Sequence, residues 1–169
     1  MATEQFYYRF MNIPLGKSLV AVEADTLIGV WFVGQKYYPQ KTEHWIERAD
    51  HSVFTALRGW FDSYFAGEKP VLNIPLAPRG TPFQKSVWDI LLRIPYGKLT
   101  SYGTIARQLA ARHNKSSLSA QAVGGAVGHN PISLLIPCHR VVGSNGKLTG
   151  YAGGLDKKEA LLRLEGAVL

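Results

Sequence analysis

Residues 69–80, KPVLNIPLAPRG, hold three prolines and no periodicity, and they separate two stretches whose apolar residues repeat differently. Proline lacks the N–H that helices and sheet ladders use, so such a stretch reads as a linker. Before it, Phe6-Tyr7-Tyr8-Arg9-Phe10, Ser18-Leu19-Val20-Ala21-Val22 and Ile28-Gly29-Val30-Trp31-Phe32-Val33 are aromatic and β-branched blocks. With a short turn at Ala24-Asp25-Thr26 they predict an antiparallel meander. Val53, Phe54, Leu57, Trp60, Phe61 and Tyr64 then recur at helical spacing, with Asp50 as the expected N-cap and Gly67 as the end. That helix covers one face of the sheet. His44 and His51 sit among acidic and polar residues and read as solvated.

After the linker the pattern turns helical. In Thr81-Pro82-Phe83-Gln84 the threonine can cap, the proline sits where a missing N–H does no harm, and the glutamine can complete a capping box. Phe83, Val87, Ile90, Leu91 and Ile94 form the expected buried stripe. Pro95-Tyr96-Gly97-Lys98 is a turn, and Ser101 caps a second helix through about Arg112, with Ile105 and Leu109 inward. A polar connection leads to Ser119 and a small-residue helix ending at Gly128. Two helices joined by a polar turn suggest a helix-turn-helix. Gly124-Gly125 costs this helix about 1 kcal/mol each relative to alanine. Either a bulky partner such as DNA approaches the backbone there, or a second helix packs across the glycines. An apolar run over residues 132–136 leads into Pro137-Cys138-His139-Arg140-Val141-Val142, followed by a tight turn at Gly143-Ser144-Asn145-Gly146. Asp156, with Glu159 three residues on, is the expected cap of a last helix that Gly166 ends. The chain is therefore expected to be α/β. A small N-terminal antiparallel sheet with a covering helix fills residues 1–80, and a mostly helical domain with a helix-turn-helix fills residues 81–169.

Composition narrows the function classes. No apolar run approaches the roughly 18 residues of a membrane-spanning helix, and MATEQFYYRF lacks the basic-then-apolar order of a secretory signal. The one cysteine excludes an internal disulfide and any multi-thiolate zinc site, and suits a reducing compartment. A cytoplasmic protein is expected. The net charge of +7 lies wholly after residue 80: residues 1–80 carry eight Lys/Arg and eight Asp/Glu, residues 81–169 eleven and four. That asymmetry fits a polyanion-binding half, the alternative being a basic surface with no nucleic-acid role.

Cys138 alone reads as a small buried hydrophobe. A thiol attacks only as thiolate and needs a base or a positive site, and His139 and Arg140 supply both types next to it. Adjacent residues of an extended chain face opposite sides, so Cys138 and His139 communicate through a bend imposed by Pro137 or through a water.

Pro137-Cys138-His139-Arg140-Val141-Val142 resembles the active-site signature of the O6-alkylguanine-DNA alkyltransferases. The resemblance extends over residues 81–166. It takes in the Thr-Pro-Phe-Gln helix start, Tyr96-Gly97, Ser101-Tyr102, Ala122-Val123-Gly124-Gly125-Ala126, Asn130-Pro131, Gly150-Tyr151-Ala152-Gly153-Gly154 and Leu164-Glu165-Gly166. It implies direct repair of double-stranded DNA by a monomer without metal or diffusible cofactor: an O6-alkylguanine is flipped out of the duplex and its alkyl group passes irreversibly to Cys138. It also implies roles. His139 takes the thiol proton through a water, Glu165 orients the imidazole, Asn130 braces the active-site backbone, and Tyr102 donates to the departing guanine. Main chain near Cys138 and Val141 reads the guanine edge. Tyr151 walls the pocket, with Ala152 (serine in some relatives) and Gly153. Ser101, Gln121, Ala122, Gly124, Gly125, Arg140 and Ser144 are expected on the DNA side, although Arg140 alone reads equally well as structural. Gln121 stands where many relatives carry arginine, and the connection from Arg112 to Ser119 is longer than theirs. The competing classes are a non-catalytic lesion-binding protein of the same fold, a cysteine hydrolase, and a DNA-binding regulator with a sensing thiol.

Overall fold

The computed structural model describes residues 5–167; the outermost residues of the two expected domains, 1–4 and 168–169, lie outside the described residues. The chain divides into two compact units between Arg79 and Gly80, with Pro131–Ser133 joining the first.

In the first unit, β1 (Phe6–Ile13), β2 (Gly16–Glu23) and β3 (Thr26–Phe32) form the antiparallel meander, and the two-residue β4 (Ile46–Glu47) adds in parallel beside β1. The β2–β3 turn is tight, with Ala24 at φ 50° and the Thr26 hydroxyl donating to the Glu23 carbonyl at 2.8 Å. Helix α1 (Ser52–Phe65) buries Val53, Phe54, Leu57, Phe61 and Tyr64, while Trp60 stacks on Tyr64 at 5.1 Å. Its cap corrects the sequence reading. Asp50 turns to Arg48 at 3.0 Å, and His51 is the N-cap, its Nδ1 accepting from the Val53 N–H while Nε2 donates to the Ala24 carbonyl. His51 is thus not simply solvated: both ring nitrogens fix the helix start against the β2–β3 turn. The proline-rich stretch is also more than a linker. The Leu27 N–H donates to the Pro75 carbonyl and the Ala77 N–H to the Leu27 carbonyl, both at 2.8 Å, so the chain adds to the edge of β3, and Ile74 is buried. Pro131–Ser133 pairs with the same strand: Val30 donates to Pro131 at 2.9 Å and accepts from Ser133 at 3.0 Å.

In the second unit, α2 (Pro82–Leu91) starts with the expected capping box, Thr81 Oγ1 accepting from the Gln84 N–H at 3.1 Å and Gln84 Oε1 from the Thr81 N–H at 2.9 Å. Trp88, unmarked by the periodicity, is buried on it and donates from Nε1 to the Ala126 carbonyl at 2.9 Å, while Phe83 is only half-buried. Ser101 caps α3 (Tyr102–Arg112) and Ser119 caps α4 (Ala120–Gly128). Between them Asn114, at φ 55°, lets the Lys115 N–H reach back to the Ala110 carbonyl and stop α3. Thr100–Ser101 (β5) pairs in parallel with Val141–Val142 (β6), the strand that leaves the cysteine turn. Helix α5 (Leu155–Leu164) has Gly154, at φ 102°, as N-cap with no side-chain bond. Asp156 therefore does not cap. It lies in the first turn, where its charge suits the helix dipole.

The Trp31 ring lies over Gly29, where a Cβ would come within 1.8 Å of the indole, and the indole packs with Leu19, Ala21 and Ile28. Gly29→Ala therefore has to expel a buried tryptophan. Overpacking of this kind costs about 1–3 kcal/mol, so the urea midpoint of the variant should fall with a change in tryptophan emission; an unchanged midpoint would contradict this packing.

Candidate active site

Pro137 makes the bend that places the cysteine. Its φ of −81° and ψ of 65° are those of an inverse γ-turn, closed by the Cys138 N–H donating to the Ile136 carbonyl at 2.8 Å. The chain then enters a 3-10 turn, Cys138–Arg140, whose three side chains are all buried. Asn130, just beyond α4, donates from Nδ2 to the same Ile136 carbonyl at 2.8 Å. One carbonyl thus receives the backbone of the cysteine and the side chain that closes the preceding helix.

Glu165 collects the second half of the site. It is the C-cap of α5, and Gly166 at φ 71° lets the Ala167 N–H return to the Leu162 carbonyl at 3.0 Å, fixing the end of the helix. Its fully buried carboxylate accepts four bonds: from His139 Nε2 to Oε2 at 2.7 Å, Arg140 Nε to Oε1 at 2.8 Å, Arg140 Nη2 to Oε2 at 3.0 Å and the Gly97 N–H to Oε1 at 3.1 Å. Arg140 also donates from Nη1 to the Ile94 carbonyl at 2.6 Å. Arg140 was expected on the DNA side. Its fork is instead turned inward and bidentate on Glu165, with only 11% of the side chain exposed, because a buried carboxylate needs a cation.

The electrostatics favour neutral resting groups. Burial pushes the Cys138 thiol up, opposed by the hydrogen bond from the Asn130 side chain and the charge of Lys158. Burial pulls His139 down, opposed by Glu165. The imidazole therefore donates from Nε2 to the carboxylate, and its Nδ1 is buried with no partner among the described residues, available to accept a proton. Tyr102, at the first position of α3, donates to the Thr149 carbonyl at 3.3 Å, and burial holds its hydroxyl above the usual pKa.

The remaining expected residues are less concentrated. Val141 is buried at the start of β6; Tyr151, Ala152 and Gly153 are half-buried in the loop before α5. Gln121, Ala122 and Gly125 are exposed on α4, with Gly124 half-buried above the Tyr102 ring. A Cβ on Gly125 would meet nothing within 4 Å, so no helix of the described residues packs across it. Ser101 spends its hydroxyl on the α3 cap, and Ser144 is exposed in the turn after β6. Lys158, which the sequence reading passed over, is fully buried. Its only sequence signal was a lysine on the inward face of a helix, two turns before Glu165. Among the described residues no group of three His, Cys, Asp or Glu is placed to hold a metal ion, and no helix is long and apolar enough to cross a membrane.

Residues 82–167 match the family model of the 6-O-methylguanine DNA methyltransferase DNA binding domain, and residues 6–78 match that of the ribonuclease-like domain of the same family. The methylated-DNA-protein-cysteine methyltransferase of Mycobacterium bovis is 44% identical over 159 residues, spanning 94% of this chain and 92% of its own. That of Methanosarcina acetivorans is 43% identical over 161 residues, spanning 95% and 99%. The crystal structure of Mycobacterium tuberculosis OGT in complex with DNA superposes with a TM-score of 0.83 at 42% identity, over 95% of this chain and 92% of that one.

Removing the Glu165 charge tests the buried network directly. In Glu165→Gln the imidazolium of His139 loses its main support, so the His139 pKa falls further and a thiolate beside it is favoured less. The reaction of Cys138 with iodoacetamide should slow at pH 7, with its pH profile displaced upward. Arg140 is left without a counter-ion, and breaking one partner of a buried pair costs about 3–5 kcal/mol, so thermal unfolding should move down as well. An unchanged pH profile in a folded variant would make Glu165 purely structural.

Proposed function

The chain belongs to the 6-O-methylguanine DNA methyltransferase family, and we propose that it repairs double-stranded DNA by moving the alkyl group of O6-alkylguanine onto Cys138. The observation that carries this reading is the buried pair of His139 and Glu165 beside the chain's one thiol, with Nδ1 of the imidazole unpartnered among the described residues. His139 takes the thiol proton, through a water, as Glu165 supports the imidazolium. Cys138 Sγ attacks the alkyl carbon, an S–C bond forms, the C–O6 bond breaks, and its electron pair goes to guanine. Tyr102 donates a hydrogen bond or proton to the departing base, so charge on the leaving group is quenched. Asn130 holds the cysteine turn while this happens.

A thiolate is a poor leaving group from the carbon of a thioether, so each molecule acts once. The target lies inside the duplex and has to be flipped into the pocket walled by Tyr151, Ala152 and Gly153. The exposed face of α4, with Gln121, Ala122 and Gly125, lies against the DNA, and Gln121 bonds the exposed edge of the unpaired partner base. The excess positive charge of residues 81–169 holds the phosphates. The protein works as a monomer in the cytoplasm, where a lone thiol stays reduced.

Peptide mapping after incubation with duplex O6-methylguanine is expected to find one added methyl on the Cys138 peptide and never more than one per protein. Repeated turnover, or a methyl elsewhere, would refute the reading. Cys138→Ser should abolish transfer and keep duplex affinity, because phosphate contacts hold the DNA.

Gly125 offers a second measurement. Alanine there enters open space and should raise helix stability by about 0.5–1 kcal/mol. The same methyl stands where DNA approaches the backbone, so duplex affinity should fall about tenfold, or ~1.4 kcal/mol. A more stable variant with unaltered affinity would move the DNA off this face of α4.

A further inference from the structure

Lys158 is fully buried on α5, and no step above uses it. Its Nζ donates to the Thr149 carbonyl at 2.6 Å and to the Gly150 carbonyl at 3.0 Å. No carboxylate of the described residues pairs with it, in contrast to Arg140 on Glu165. An ammonium buried against two carbonyls is a poor way to fill space, since desolvation disfavours the charge and draws its pKa down to about 8. A leucine or methionine would pack at lower cost. The position of the charge therefore has a use beyond packing.

Thr149 shows what that use is. Its carbonyl accepts from two donors, Lys158 Nζ at 2.6 Å and Tyr102 Oη at 3.3 Å. A carbonyl has two lone pairs, so both bonds coexist. The tyrosine bond is the long one, and the lysine bond is short and charge-assisted. When the Tyr102 hydroxyl swings away, the Thr149 carbonyl keeps a donor. Without Lys158, the same swing would strip a part-buried carbonyl of its partner, and the tyrosine proton would stay parked on the loop. The groups that share this space are Tyr102 on α3, Cys138 and His139 on the 3-10 turn, and Glu165 and Arg140 behind the histidine.

We propose that Lys158 is a positioning residue for the transfer: it holds the carbonyls of Thr149 and Gly150 so that the Tyr102 hydroxyl is free to donate to the departing guanine. This rests on the reading that Cys138 takes the alkyl group from O6-alkylguanine. Lys158 never touches the substrate. It acts through the loop and through Tyr102.

The test compares Lys158→Met, Tyr102→Phe and the double variant as full chains, with thermal unfolding as the check on folding. For each, the single-turnover rate with free O6-benzylguanine is divided by the rate at which iodoacetamide alkylates Cys138. Iodoacetamide carries its own good leaving group, so the ratio cancels any effect of the Lys158 charge on the thiol and isolates help to the leaving guanine. The ratio is expected to fall at least tenfold in each single variant and no further in the double. Lys158→Gln, whose amide keeps one neutral donor in the same place, is the second variant should the methionine chain not fold. It is expected to lose less than tenfold, and its combination with Tyr102→Phe to lose no more than Tyr102→Phe does alone. A ratio equal to that of the unaltered chain would reduce Lys158 to a modulator of the thiol. Losses that multiply with those of Tyr102→Phe would sever the proposed link. An unaltered chain that gains no benzyl group on Cys138 would instead fail at the underlying reading, and this inference would fall with it.

Discussion

A single carboxylate, that of Glu165, organises the reactive half of the second unit. It is fully buried and takes four donors, from His139, from two nitrogens of Arg140 and from the Gly97 backbone. Such a charge is tolerable inside a protein only when every lone pair is met and a cation is adjacent. Both conditions tie distant pieces of chain together. Arg140 supplies the cation and carries the cysteine turn with it; its remaining donor reaches Ile94, at the end of α2. Gly97 brings in the turn that leads to β5, and Tyr96 on that turn donates to Leu164 at 3.3 Å. The end of α5, the cysteine turn and the approach to α3 are thus fixed by one requirement, the neutralisation of Glu165.

Burial sets the chemistry as well as the geometry. It holds Cys138 as a thiol and His139 as a neutral imidazole, so the resting site stores no charge at the nucleophile. A buried thiol is protected from adventitious electrophiles and is slow by the same token. The opposing groups lie close by: the hydrogen bond from Asn130 and the field of Lys158 lower the cost of the thiolate, and Glu165 lowers the cost of the imidazolium. None of these is large enough to ionise the cysteine at rest. Charge formed on either group alone would stand uncompensated in a buried site.

Much of this was legible in the sequence because local rules dominate where helices begin. Thr81, Ser101 and Ser119 all cap the helices their positions announce. The failures have physical reasons of two kinds. Asp50 and Asp156 are good caps in isolation, yet another residue takes each place: His51 is held by Val53 and by the distant Ala24 carbonyl, and Gly154 supplies the positive φ from which α5 starts. The second kind concerns pairing across long stretches of chain, which no periodicity reports. The proline-rich stretch at residues 69–80 and the apolar run beginning at Ile132 both add to β3, through Leu27 and Val30 respectively. Lys158 and Arg140 belong here too. A lysine on a helix draws no reading at all, and an arginine after a histidine reads as structural or DNA-facing alike, until the burial of their neighbours is known.

The same contrast separates the two glycines of α4. Both carry the helix cost of a missing side chain, and the sequence offered packing or a close partner as the reason. Gly124 has a structural occupant: the Tyr102 ring lies 3.7 Å from where its Cβ would be, an ordinary contact that leaves the tyrosine in place. Gly125 has none, and neighbouring Gln121 and Ala122 are equally open. Gly124 thereby serves the tyrosine, while Gly125, one residue on, leaves the neighbouring face of α4 flat and open.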